Sequence, residues 1–166
     1  MAWTSPRTWL AGEKPSASTY NTHIRDNFKA IGDAWTSYSP TWAIDSGGTN
    51  PSIGNGSLTG RYMQAGKLVM FTITLVAGST TTWGSGVYTW TYPVTPLNST
   101  ANTGSGIYGY FWDNDNSKPY PGIGVGFSST RFRVSTTYTN SFFSQATPVA
   151  GANGDKIILS GMYEAA

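Results

Sequence analysis

The stretch KLVMFTITLV, residues 67–76, has the most regular alternation of apolar side chains in this chain. Because neighbouring side chains of a β-strand point to opposite faces, this period of two places four apolar residues on one face, Val69, Phe71, Ile73 and Leu75. Residues 58–64 form a second candidate strand, and Ala65 and Gly66 lie between the two. A short connection that contains glycine predicts that the two strands pair as an antiparallel hairpin.

The same period of two continues along the rest of the chain. Five more segments have it: residues 87–92, 107–112, 122–127, 131–135 and 156–163. Several short strands separated by turn residues are typical of antiparallel sandwiches and barrels. We therefore predict a mainly β protein whose residues 40–166 form an antiparallel β-sandwich of the jelly-roll type.

Before Pro40 the pattern changes to that of a helix. Ile24, Phe28, Ile31 and Trp35 are separated by four, three and four residues, which places them along one ridge and matches a short heptad seam. Gly32 can end this helix, in which case Trp35 lies beyond it. A short helix is stable in water only when its apolar face packs on something. We predict that residues 1–39 hold an extended arm and one short α-helix that anchors the chain, with the four ridge residues as the oligomer interface.

An arm without regular periodicity precedes this helix, and Ser16, Ser18 or Thr19 can cap the helix start. The arm contains Trp3 and Trp9, and two tryptophans on an irregular segment need a groove to occupy. Two interpretations stay open. The arm docks on a neighbouring subunit or particle, or it folds back on its own β body.

The composition narrows the choice of partners. Of 166 residues, 39% are hydrophobic and 14% aromatic, but only 11% are charged, well below the ~25% of typical globular proteins. Such a surface favours contact with partner subunits or with sugars. The net charge is +2 and the basic residues are scattered, so nothing indicates a nucleic-acid partner. No cysteine is present, and no segment has the apolar length of a secretory signal or a membrane span, so we expect no disulfide and no membrane partner.

Residues that could support chemistry are few. His23 is the only histidine, so one chain cannot build a metal site from histidines. Asp113 and Asp115 are the only carboxylates close together in the sequence, within the segment DNDNS. That segment lacks the glycine and the glutamate of a calcium loop, and we predict a polar hairpin tip instead. We therefore predict no catalytic residue, no metal ligand and no cofactor.

Two of the candidate strands carry three aromatic residues each on one face. Either these rings form a platform on which sugars stack, or they belong to the core and to subunit contacts, which is the interpretation we prefer. The possible glycan contacts are Tyr88, Trp90, Tyr108, Tyr110 and Trp112.

Several segments also carry a resemblance to a known group of proteins. The N-terminal segments are SPRTW (5–9), AGE (11–13) and YNTHIRDNF (20–28), and the body contributes GNGSLTGRY (54–62) and the ending from residue 154 to residue 164. In these segments the chain resembles tail-associated, fibre-like and decoration proteins in the virions of tailed bacteriophages that infect actinobacteria.

The resemblance implies a non-enzymatic virion protein with a β-sandwich body, often a homotrimer, made in the host cytoplasm and then built into the particle. Its partners would be copies of itself, other tail or capsid proteins, and in an adhesive role a host cell-surface glycan. We assign virion attachment to Trp3, Arg7 and Trp9. Tail fibre, minor tail protein and capsid decoration protein remain alternatives, and so does a carbohydrate-binding module that adheres to the host surface.

Overall fold

The computed structural model describes residues 4–97 and 106–166. Helical structure comprises α1 (Ala17–Tyr20), a π-helical turn (Asn21–Arg25) and α2 (Asp26–Gly32). The strands are β1 (Thr36–Tyr38), β2 (Trp42–Ile44), β3 (Ser57–Ala65), β4 (Leu68–Val76), β5 (Tyr88–Thr91), β6 (Gly106–Asp113), β7 (Lys118–Gly126), β8 (Arg131–Thr136), β9 (Ser141–Phe142) and β10 (Lys156–Glu164). The predicted mainly β class is confirmed.

The strands form one antiparallel sheet in the order β1-β3-β4-β10-β6-β7-β8-β5-β2, with β9 paired to β8. Its two edge strands, β1 and β2, are consecutive in the chain, and only residues 39–41 separate them. Four Cα–Cα steps span at most about 15 Å. The sheet must therefore curl until its two edges lie close together.

Curling brings distant strands face to face around one core, which gives the sandwich-like arrangement. Phe71 on β4 and Phe132 on β8 are separated by three strands in the sheet, yet their ring centroids are 5.6 Å apart. Tyr163 on β10 lies 5.1 Å from Tyr92, again measured between ring centroids. The largest fully buried side chains are Trp90, Tyr88, Phe71, Phe111, Phe132 and Phe143.

The sheet begins earlier than the sequence indicated. β1 pairs with β3 in the register Thr36↔Tyr62 to Tyr38↔Gly60, so the body starts four residues before Pro40. The strand β1 therefore lies within residues 1–39, the segment predicted to hold the arm and the helix. With three residues each, β1 and β2 are too short for an alternating pattern to be recognised.

The strand β7 carries two glycines on its inner face and a branched apolar side chain on its outer face. Gly122 and Gly124 point into the core, while Ile123 points outward and is 52% exposed. A Cβ added at Gly124 would collide with the Ile107 side chain, and one at Gly122 would lie within 2.6 Å of a Val134 methyl. At these two glycine positions the core has no room for a larger side chain, whereas Tyr120 on the same face of β7 is buried in the core.

The helix begins and ends where capping residues allow. The Ser16 hydroxyl accepts a hydrogen bond from the Thr19 N–H, which confirms Ser16 as the N-cap. After Gly32, Asp33 has an extended backbone, so the helical segment ends at residue 32. Trp35 therefore lies outside the helix, and the predicted ridge is reduced to Ile24, Phe28 and Ile31.

Candidate oligomerisation site

The remaining ridge residues form an exposed apolar surface on the helix. Ile24 is 39% exposed, Ile31 52% and Phe28 73%. They surround a groove of about 200 Å³ whose lining is almost entirely apolar, formed by Pro6, His23, Ile24, Asn27, Phe28 and Ile31. All of these lining residues belong to the helix except Pro6, which belongs to the arm. Within the described residues, no part of the β body lines this groove.

The helix contacts the body through another face. Ala30 is buried, and together with Asp33 and Ala34 it borders a second groove that includes Tyr62 and Met63 of β3. Only the C-terminal end of the helix therefore rests on the sheet. Within the described residues, the β body leaves the ridge uncovered.

Asn27 joins the arm to the helix. Its side-chain oxygen accepts a hydrogen bond from the Thr4 N–H at 2.9 Å, and its side-chain amide donates to the Thr4 carbonyl oxygen at 2.8 Å. This amide therefore pairs with the Thr4 backbone as a neighbouring strand would, and Asn27 is buried as a result. Asn27 is not among the residues predicted from the sequence, although a polar residue beside an apolar ridge is a signal of a specific contact.

The arm folds back along the helix of its own chain rather than along the β body. The Trp9 ring stacks on Tyr20 with centroids 5.6 Å apart, and the Arg7 guanidinium lies 4.9 Å from the Trp9 ring centroid. Arg7 also forms an ion pair with Glu13 at 2.6 Å. Trp3 lies outside the described residues. The structure does not test the assignment of Arg7 and Trp9 to virion attachment, but it shows that both already contact residues of their own chain.

The aromatic residues proposed as glycan contacts fall into two groups. Tyr88 and Trp90 on β5 are fully buried in the core, so their assignment as glycan contacts is wrong. Their face of β5 turns inward, and Tyr88 donates its hydroxyl hydrogen to the Trp83 carbonyl oxygen at 2.7 Å. On β6 the rings are outside: Tyr108 is 63% exposed, and Tyr110 and Trp112 are half-buried.

The three outer rings of β6 lie in a mixed surface, here called the β6 strip, that includes their cross-strand neighbours. On β7 the partners of Tyr108, Tyr110 and Trp112 are Ile123, Pro121 and Pro119. On β10 the partners are Ser160, Ile158 and Lys156, in the same order. The strip is therefore mainly apolar. Its polar groups include the phenol hydroxyls of Tyr108 and Tyr110, the hydroxyl of Ser160 and the ammonium group of Lys156.

The acidic segment forms a hairpin tip between β6 and β7, as predicted. Asp113 accepts hydrogen bonds from the backbone and side chain of Asn116, and these lower the pKa of its carboxyl. Asp155 is buried and accepts from the N–H groups of Asn114 and Ala152, and burial raises the pKa of its carboxyl. Both carboxylates hold turns together. Among the described residues, no group of three or more His, Cys, Asp or Glu side chains could hold a metal ion.

Comparison with family models, with curated proteins and with solved structures found no match to this chain. None of the helical segments in the described part of the chain has the length and apolar character needed to cross a lipid bilayer.

Proposed function

We propose that this chain is a non-catalytic structural protein of a bacteriophage virion, a small surface appendage that assembles as a homotrimer. Residues 4–33 form the attachment and oligomerisation segment, and the β body is displayed outward. The observation that carries the proposal is the exposed ridge of Ile24, Phe28 and Ile31, which the rest of the described chain leaves uncovered.

The free energy available from this ridge supports self-association. Complete burial of an Ile or Phe side chain is worth about 1.5–3 kcal/mol relative to its exposed state. The ridge side chains are still 39–73% exposed, so an assembly would recover a large part of that free energy for each of them. Association itself costs roughly 4–15 kcal/mol, so three short helices need further contacts from the arm or the β body.

Detection of the chain in purified particles tests the virion assignment. Antibodies raised against the β body should label one location on particles of a phage that encodes this chain, either the tail or the capsid surface. The same antibodies should remove the chain from solution together with the particles. A chain that is abundant in the lysate but absent from purified particles would contradict the proposal.

The β6 strip favours a second candidate function, glycan adhesion by the displayed body. Three aromatic rings at every second position of one strand present a row of π-faces, and Ser160 and Lys156 supply hydrogen-bond donors beside them. Affinity electrophoresis in host cell-wall polysaccharide tests this function. The full chain should be retarded, Tyr108→Ala and Trp112→Ala should migrate freely, and Tyr138→Ala, which removes a comparably exposed ring elsewhere, should behave as the full chain does.

A further inference from the structure

Four of the residues that line the helix groove have the spacing of one hole in a coiled coil. Relative to Phe28, the residues Ile24, Asn27 and Ile31 lie at positions −4, −1 and +3, and Phe28 itself completes the set. In knobs-into-holes packing, a side chain from one helix enters a hole formed by four residues of the facing helix. In a parallel pair of helices, these four positions form the hole that receives a knob at the level of Phe28.

We propose that the groove receives Phe28 of a second copy of this chain, and that Pro6 of the arm forms part of the hole. This inference rests on the self-association proposed above and adds that the arm belongs to the subunit interface.

The side chains of the groove fit this occupant. Phe28 is the most exposed large apolar side chain among the described residues, so it is available as a knob. The groove contains no carboxylate, lysine or arginine, and His23 is its one ionisable residue. An aromatic hydrocarbon ring therefore suits it better than a charged peptide or a sugar. Because knob and hole lie at the same level of the helix, the copies must run parallel and be related by a rotation axis.

The arm is held in position for this contact. The two hydrogen bonds between Asn27 and the Thr4 backbone fix the arm two residues before Pro6. A further contact joins the Ser5 carbonyl oxygen to His23 Nδ1 at 3.3 Å. Pro6 is thus fixed at the rim of the groove, where a knob from a neighbouring copy would touch it.

Disulfide trapping tests both the occupant of the groove and the role of Pro6. It is possible because the chain has no cysteine of its own. Two full-length chains with different tags are co-expressed, one carrying Pro6→Cys and the other Phe28→Cys, and the assembly is oxidised. A disulfide between the two tags should form readily. The control pair, Leu10→Cys with Phe28→Cys, should form several-fold less disulfide, because Leu10 is exposed like Pro6 but lies outside the groove.

The outcomes separate this inference from the proposed function. Phe28→Cys chains that crosslink to one another, without any crosslink between Pro6→Cys and Phe28→Cys, would overturn the role of the arm and leave self-association standing. No crosslink in any pair, together with the mass of a single chain in solution, would overturn both. Equal crosslinking of the Pro6→Cys and Leu10→Cys pairs would also overturn the role of Pro6.

Discussion

The β body and the N-terminal helix use their apolar residues in opposite ways. In the body, Phe71, Phe111 and Phe132 are at most 1% exposed and contact other rings of the same chain. On the helix, the three apolar ridge residues are 39–73% exposed, and the arm covers only one border of them. The body thus buries these rings within one chain, whereas the described residues leave the helix ridge largely uncovered.

This difference separates stability from assembly within one chain. Substitutions in the core of the β body should lower its free energy of unfolding without changing the side chains of the ridge. Substitutions on the ridge should alter assembly and leave the body folded.

Loss of a core ring should have the largest effect on the body. Phe132 contacts the rings of Phe71, Trp90 and Tyr92, so Phe132→Ala should lower the free energy of unfolding by about 3–5 kcal/mol. Tyr108→Ala, which removes an exposed ring, should change it by less than about 0.5 kcal/mol. Urea denaturation of the full chain measures both, and equal losses would contradict the division between inner and outer rings.

Two glycine-to-alanine substitutions should affect the free energy of unfolding differently. In the body, Gly124→Ala places a methyl group against Ile107 and should cost about 1–3 kcal/mol. In the helix, Gly32→Ala meets no atom within 4 Å and should be neutral or stabilising by up to about 1 kcal/mol. Equal stability of the Gly124→Ala and Gly32→Ala variants in the same denaturation experiment would contradict the close packing at Gly124.

Release of the arm should affect the helix region alone. Asn27→Ala removes two hydrogen bonds to Thr4, each worth about 0.5–1.5 kcal/mol. Hydrogen exchange at residues 4–13 should then accelerate, while exchange in β4 and β10 stays unchanged. Lys29→Ala, on the exposed side of the same helix, is the control. Unchanged protection of the arm in Asn27→Ala would show that Asn27 does not hold it.

A change of pH should have the smallest effect on the free energy of unfolding. The sign of this effect should differ between two buried carboxylates. The pKa of Asp155 is raised above 3.8, so its contribution to stability falls as pH rises through the window between 3.8 and the raised value. The pKa of Asp113 is lowered below 3.8, so its contribution is complete above 3.8 and is lost as pH falls through the lowered value.

Unfolding of the wild type and of two variants at about pH 3 and about pH 7 measures these signs. The stability of the wild type relative to Asp155→Asn should be greater at the lower pH. Relative to Asp113→Asn it should be greater at the higher pH. Identical pH dependence of both variants would contradict the assignment.

The sequence was sufficient to predict the long strands, because alternation in β4, β6 and β10 continues over eight or nine residues. It could not predict which face of a strand is inside. Residues 87–92 and 107–112 carry the same aromatic pattern, yet the rings of β5 are buried and those of β6 lie outside. The difference depends on tertiary packing, since Ile107, Gly109 and Phe111 of β6 fill the inner side.

For the helix, the ridge spacing was visible in the sequence and the contribution of the arm was not. Ile24, Phe28 and Ile31 follow helical periodicity, which local sequence shows directly. The contacts of Thr4 and Pro6 join residues about 20 positions apart, and an irregular segment has no period that would reveal them. Trp35 was included because its spacing continues the heptad, but the chain leaves the helix after Gly32.

The mass of the full chain in solution tests the central claim most directly. Sedimentation or light scattering should give the mass of a trimer for the wild type and for Leu10→Glu, whose side chain lies outside the groove. Phe28→Glu, which places a charge on the ridge, should give a single folded chain with an unchanged β body. A wild-type chain that is strictly monomeric, or a Phe28→Glu variant that remains trimeric, would contradict the account.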